Sequence, residues 1–137
     1  MNAFSKEQRR TTHNQQRTTN NVQTEYCLFC RIIGRQAPGK IVYEDDRVVA
    51  IEDAHPQAPI HLLVLPRKHL PSLKEASAED ESLLGRLLTV AAQLARERQL
   101  ESKGYRTIIN TGSFAGQSIF HLHVHVLGGR TFRWPPG

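Results

Sequence analysis

The sequence predicts an α+β domain: a five-stranded antiparallel sheet with one long and one short helix. Three observations carry this. Short runs rich in β-branched residues are joined at hairpin distances, a single long segment switches to helical period, and no internal repeat is visible. With 137 residues and 39% apolar content the chain suffices for one ordinary domain.

The elements follow in order. Cys27 to Ile33 reads as a short helix ending near Gly34, with Leu28, Phe29, Ile32 and Ile33 on its apolar side. Pro38-Gly39 breaks the chain. Ile41–Tyr43 and Val48–Ile51 form a hairpin around the acidic turn Glu44-Asp45-Asp46-Arg47, and Ile60–Leu65 is a third strand stopped at Pro66. Ser77-Ala78-Glu79-Asp80 has the form of a capping box, after which Leu83, Leu84, Leu87, Leu88, Ala91, Leu94 and Ala95 recur at helical spacing. This helix covers a sheet, with Gly104 as its expected C-cap. Tyr105–Asn110 is the fourth strand. Thr111–Gln117 is a glycine-bearing loop, and the fifth strand starts near Ser118.

The first 25 residues hold only Met1, Ala3, Phe4 and Val22 as apolar side chains among Thr, Asn, Gln and Arg. Such a stretch cannot bury enough surface to offset its ordering entropy, so residues 1–25 are expected to be a disordered extension and 26–137 the domain. The extension has a single serine and no apolar stripe, unlike a transit peptide. No apolar run reaches bilayer length, and two cysteines are too few for a secreted disulfide framework. A soluble cytoplasmic protein is expected, with no membrane partner. Of the formal net charge of +5, the extension holds +2 (Lys6, Arg9, Arg10 and Arg17 against Glu7 and Glu25) and the body +3. That mild, dispersed balance suits a small anionic substrate rather than nucleic acid.

The chemistry concentrates in Ser118-Ile119-Phe120-His121-Leu122-His123-Val124-His125-Val126-Leu127. On a strand, alternate residues share a face, so His121, His123 and His125 stand together opposite Leu122, Val124 and Val126. Three co-facial imidazoles, at about 6–7 Å intervals for a 3.3 Å rise, are hard to explain as packing and long enough to lie along a phosphate. A neutral imidazole is nucleophilic near neutral pH without a separate base.

His121-Leu122-His123-Val124-His125-Val126-Leu127 resembles the histidine triad pattern of three histidines alternating with apolar residues. Pro56-Gln57-Ala58-Pro59, His61 through His69, Gly116-Gln117-Ser118 and the ending Gly128-Gly129-Arg130 to Trp134-Pro135-Pro136-Gly137 are similar to the Hint branch of that superfamily, the nucleoside phosphoramidases, from about Tyr26 onward. The resemblance implies a homodimer with the sheet continued across its interface. It also implies hydrolysis of purine nucleoside 5′-phosphoramidates to AMP or GMP and an amine, with no cofactor needed for catalysis. It assigns the nucleophile to His123, which would form a nucleotidyl-histidine.

His125 is then expected to hold a phosphoryl oxygen, and the Ser118 hydroxyl to meet the departing amine if the strand begins that early. The backbone N–H groups at Gly116 and Gln117 are expected near phosphate. Asp53 matches the family's ribose-binding aspartate, although beside Ala54-His55-Pro56 it also reads as a turn cap. Asn110 matches a residue near phosphate and ribose, and also reads as a loop cap. Ala54 follows the aspartate, and Leu28, Phe29, Ile32 and Ile51 would line the base slot or serve as ordinary core. The C-terminal segment implies a role for Trp134 in leaving-group choice at the partner's site.

Cys27-x-x-Cys30 has zinc-knuckle spacing, with two reduced core thiols as the plainer reading. Zinc-bearing relatives in the wider superfamily complete such a site with a third-strand histidine and the first triad histidine. That implies a structural zinc on Cys27, Cys30, His61 and His121, with His121 withdrawn from direct catalysis. Three other functions compete: a dinucleoside polyphosphate hydrolase using the same His123 attack, a metallohydrolase with a catalytic metal on His121 and His123, and a nucleotide-binding scaffold. The metallohydrolase lacks the aspartate usual soon after His-x-His, since Val126-Leu127-Gly128 follows.

Overall fold

The computed structural model describes residues 25–137, so all of the expected extension but Glu25 lies outside the described residues. The elements are α1 (Leu28–Ile33), β1 (Ile41–Glu44), β2 (Val48–Glu52), β3 (Ile60–Pro66), α2 (Glu81–Glu97), β4 (Tyr105–Ile108) and β5 (Val124–Gly128). Their strands make one sheet in the order β1-β2-β3-β5-β4, every neighbour antiparallel. The α+β architecture is as expected. Among the described residues no helix is long and apolar enough to cross a membrane.

Local chemistry sets the element ends. The Asp45 Oδ1 atom accepts the Arg47 and Val48 N–H groups at 2.8 and 2.7 Å, closing the β1–β2 turn. Arg86 of α2 reaches the Asp45 Oδ2 atom and the Tyr43 hydroxyl, both at 2.8 Å, fastening the helix to the hairpin. Burial alone would raise the Asp45 carboxyl, but hydrogen bonds from Tyr43, Arg47, Arg86 and Val48 hold it well below the usual carboxylate range.

The Ser77 N–H donates to the Asp80 carboxylate at 3.0 Å, but that box closes a 3₁₀ turn over Ala78–Asp80, and α2 starts at Glu81. The helix ends at Glu97 with Arg98 as C-cap and Gln99 left-handed at φ 61°, not at Gly104. Gly104, at φ 98°, donates its N–H to the Leu100 carbonyl and closes the turn before β4.

The sheet separates two apolar layers by the alternation of side chains. Ala50, Leu62, Val64, Leu122, Val124 and Val126 pack on one face against Leu87, Val90, Ala91, Leu94 and Ala95 of α2. Val49, Ile51, Leu63 and Leu65 pack on the other face against Phe29 and Ile32 of α1. The triad rings belong to this second face, where Phe29 meets the His121 and His123 rings edge-on at 6.0 and 5.2 Å.

Candidate active site

Only His125 of the three histidines lies within regular strand, because β5 begins at Val124 rather than at Ser118. The segment ahead of it is held by other bonds. The Leu122 N–H donates to the Leu70 carbonyl at 2.7 Å, continuing the β3–β5 contact beyond Pro66. The buried Gln117 side chain accepts the Gly112 N–H at 2.9 Å and donates to the Pro71 and Ile119 carbonyls at 2.8 and 3.2 Å. With these backbone groups satisfied by a side chain, the loop has no need of strand pairing.

Backbone carbonyls dictate the tautomers of the first two triad rings. A carbonyl can only accept, so the ring nitrogen facing it carries hydrogen. His121, fully buried, donates Nε2–H to the Pro66 carbonyl at 2.8 Å. Its bare Nδ1 atom therefore turns to Cys27 and Cys30, both sulfurs at 3.4 Å, and to the His69 Nδ1 atom at 3.2 Å. His123, 8% exposed, donates Nδ1–H to the His121 carbonyl at 2.7 Å, which leaves Nε2 as an unprotonated lone pair.

The His123 and His125 rings stand 4.9 Å apart, closer than backbone rise alone gives. Among the described residues neither ring's Nε2 atom has a hydrogen-bond partner. Burial, with His123 and His61 nearby, pushes His125 down from 6.5 to about 4, so it is neutral at pH 7. Burial likewise lowers His121 to about 4, with further effects of neighbouring His69 and His123 opposed by the bond to Pro66.

The thiol–imidazole cluster corrects the expected zinc set. Cys27, Cys30, His69 and His121 bring their ligand atoms together, whereas His61 is grouped with Asp53 and His125. The register explains this. Leu63 lies opposite His125 and His61 opposite Leu127, so moving back along β5 to His121 moves past the end of β3, where His69 lies. The Cys30 sulfur is 3.3 Å from the His69 Nδ1 atom. Tetrahedral zinc with Zn–S near 2.3 Å and Zn–N near 2.05 Å sets S···N and N···N separations of about 3.3–3.6 Å, so this donor set fits the ion. Zinc bound there would cross-link the start of α1, the segment after β3 and the start of the triad. Burial and the Cys27 thiol push Cys30 up to about 12, so Cys30 is not a thiolate nucleophile by itself.

The other expected site residues are distributed as follows. Asp53 accepts the His55 N–H at 2.8 Å through Oδ1, as a turn cap, and sets Oδ2 3.3 Å from the His61 Nε2 atom. Ala54 is in that turn and exposed. Asn110 follows β4, where the register that places Ile108 opposite His125 runs on toward His123. The Gly116 and Gln117 N–H groups donate to the Ser113 and Gly112 carbonyls, so neither is a free phosphate donor in this loop conformation. Ser118 is exposed, outside the strand, and three and five residues from His121 and His123, odd spacings that an extended strand would turn to the opposite face. It lines a 350 Å³ cavity with Tyr26, Cys27, Leu28, His69 and Phe120. Phe29, Ile32 and Ile51 are buried core, and Leu28 alone of the four slot residues is exposed. Trp134 is 83% exposed, in a C-terminal segment held by the Arg106 bond to the Arg133 carbonyl at 3.0 Å. A larger cleft of 740 Å³, lined by Lys103, Arg106, Arg130 and Phe132 among others, contains no triad histidine.

An open antiparallel sheet whose fifth strand and the segment leading into it bring three alternating histidines to one face, the first directed at a thiol pair, defines a histidine triad protein. The chain belongs to the HIT domain family, whose profile matches residues 34–132. It is 49% identical over 114 residues to an uncharacterized HIT-like protein of Synechococcus elongatus, covering 83% of this chain and 99% of that one. The crystal structure of a HIT family hydrolase from Legionella pneumophila superposes with a TM-score of 0.80 at 42% identity, over 81% of this chain and 99% of the other. A histidine triad nucleotide-binding protein from Candida albicans superposes with a TM-score of 0.69 at 26% identity, over 80% and 82%.

Proposed function

We propose that the protein is a cytoplasmic hydrolase of purine nucleoside 5′-phosphoramidates, releasing AMP or GMP and an amine. One observation carries this reading: the His123 ring spends its Nδ1–H on the His121 carbonyl, which leaves Nε2 as the lone pair beside the His125 ring. In the first step Nε2 attacks the α-phosphorus, and the P–N electron pair leaves on nitrogen, which takes up a proton. In the second, water attacks the nucleotidyl-histidine and returns the ring with the monophosphate. His125 offers Nε2–H to a non-bridging oxygen, a donor aimed where charge develops. Ser118, exposed at the cavity beside α1, meets the leaving nitrogen. The ribose lies toward Asp53 and Asn110, and the base rests on a floor of Phe29, Ile32 and Ile51 with Leu28 at its rim. The Legionella and Candida relatives, described as a hydrolase and as nucleotide-binding, support the coarse class.

The zinc on Cys27, Cys30, His69 and His121 is structural in this reading. The protein acts as a homodimer in which Trp134 reaches the partner's site. Adenosine 5′-phosphoramidate and diadenosine polyphosphate, each offered to the wild type with and without a chelator, test the assignment. Preference for the phosphoramidate that survives chelation is expected. Preference for the dinucleotide would move the protein to that branch, prompt loss of turnover on chelation would favour a catalytic metal, and binding without turnover would make it a scaffold.

A further inference from the structure

The two thiols of the Cys27, Cys30, His69 and His121 cluster have a chemistry that a purely structural ion leaves unused. We propose that Cys27 is a site of oxidation by hydroperoxides, and that its closure onto Cys30 as a disulfide expels the metal ion and slackens the triad segment. The inference rests on the zinc assigned to this cluster under the proposed function, and not on the reaction at His123.

The cluster is open on one side. Of its four residues only His121 is fully buried, the other three being half-buried. Cys27 and His69 line the 350 Å³ cavity whose walls include the exposed Tyr26, Ser118 and Phe120, whereas Cys30 is not in its wall. A hydroperoxide is small enough to enter there, and it meets the Cys27 sulfur first.

The pair is also placed to close. Cys27 is the N-cap of α1, and its sulfur accepts the Cys30 N–H at 3.4 Å. Leu28 and Phe29 between them are helical. Helical geometry sets Cα atoms three residues apart at about 5 Å, inside the roughly 4.4–6.8 Å that a disulfide accepts. The two sulfurs already lie within 4.8 Å of each other, so side-chain rotation closes the bond with the backbone in place.

Both sulfurs are thiolates when zinc is bound. In the first step the Cys27 sulfur attacks the terminal oxygen of the hydroperoxide, the O–O bond breaks, and the other oxygen leaves as alkoxide or hydroxide. In the second the Cys30 sulfur attacks the sulfur of the Cys27 sulfenic acid, the S–O bond breaks, and hydroxide leaves. The thiolates give up two electrons, the peroxide takes them, and two protons from solvent neutralise the products. A disulfide carries no charge to bind the ion, and two imidazoles alone do not complete a tetrahedral site.

The effect reaches His123 through the backbone. The His121 carbonyl orients the nucleophile by accepting its Nδ1–H at 2.7 Å. Leu122, the next residue, donates its N–H to the carbonyl of Leu70, the residue after His69. The two imidazole ligands therefore flank the backbone bond that anchors the triad segment beyond the sheet. With the ion and both sulfurs withdrawn, the buried Nδ1 atom of His121 keeps only His69, at 3.2 Å. The carbonyl that orients His123 is then held less firmly.

The test uses the full-length protein, reduced and zinc-loaded, treated with rising doses of hydrogen peroxide. A chromogenic chelator reads released zinc, peptide mass spectrometry reads the cysteines, and turnover of adenosine 5′-phosphoramidate is followed in parallel. One zinc released for each Cys27–Cys30 disulfide formed is expected, both reversed by dithiothreitol and added zinc. Turnover should fall by roughly 3- to 10-fold without being abolished, and return on reduction. Zinc retained at doses that oxidise a free thiol such as N-acetylcysteine would overturn the inference. So would zinc lost without the disulfide, cysteines driven to sulfinic acid that no reductant restores, or a reduced protein that takes up no zinc. Unchanged turnover in the fully oxidised protein would overturn the link to the triad. Absence of turnover in the reduced protein would instead refute the proposed reaction, leaving zinc release and the disulfide to decide the switch.

Discussion

The His123 ring donates its Nδ1–H to the carbonyl of His121, two residues back in the same chain, at 2.7 Å. The bond sets ring orientation and tautomer together, so the nucleophile is pre-formed rather than created on binding. His123→Asn separates the two functions: its amide can still donate to that carbonyl, but no Nε2 exists. Thermal stability within a few degrees of wild type and turnover lower by about 10³-fold or more are expected. Comparable residual turnover would assign the attack elsewhere.

The zinc assignment is checked by elemental analysis. One zinc per chain is expected, retained in His61→Ala and lost in His69→Ala and Cys30→Ser. Loss should also lower the melting temperature, because a structural ion binds only the folded chain. Zinc retained in His69→Ala and lost in His61→Ala would restore the sequence-based set.

Burial pushes His125 from 6.5 to about 4 in the folded chain. The unfolded chain takes up that proton first as pH falls, so stability from this group is complete above pH 6.5 and is lost as pH falls through about 4. Solvent screening of the half-buried ring keeps its share to about 1–2 kcal/mol. Urea midpoints at pH 7 and pH 4.5 should therefore fall less in His125→Gln than in wild type. Equal falls would show that the ring is not held neutral by the fold.

Gly129, left-handed at φ 91°, would place a Cβ 2.9 Å from the Pro59 Cβ atom. Gly129→Ala should cost about 1–3 kcal/mol by denaturant unfolding, from strain and overpacking together. An unaffected midpoint would mean that the Pro59 turn yields freely.

Trp134 has little packing on its own chain, being 83% exposed. Truncation before Arg133 should leave the melting temperature near wild type but change the ranking of amine leaving groups. Unchanged kcat/KM across several amines would remove the C-terminal segment from the site.

Much of this was readable from residues alone, because the alternation of His121, Leu122, His123, Val124 and His125 encodes both a chemical face and a core face. Cys27 as the lead-in to a short helix was equally legible. What misled was distance along paired strands. His61 is a third-strand histidine, but antiparallel register sends it toward His125, and only counting back from that pair shows that a partner for His121 must come from beyond Pro66. The late start of β5 was hidden for another reason: Gln117 satisfies the loop's backbone through its side chain, a tertiary arrangement that propensity does not encode. The left-handed residue after α2 being Gln99 rather than a glycine is a similar override.

The most direct measurement is rapid acid-free quenching of wild type during turnover of adenosine 5′-phosphoramidate, followed by intact and peptide mass spectrometry. The account predicts a transient adduct of one AMP moiety per chain, mapped to His123 and missing in His123→Asn. Sustained turnover with no protein-bound nucleotide at any time point, or an adduct on another residue, would contradict it.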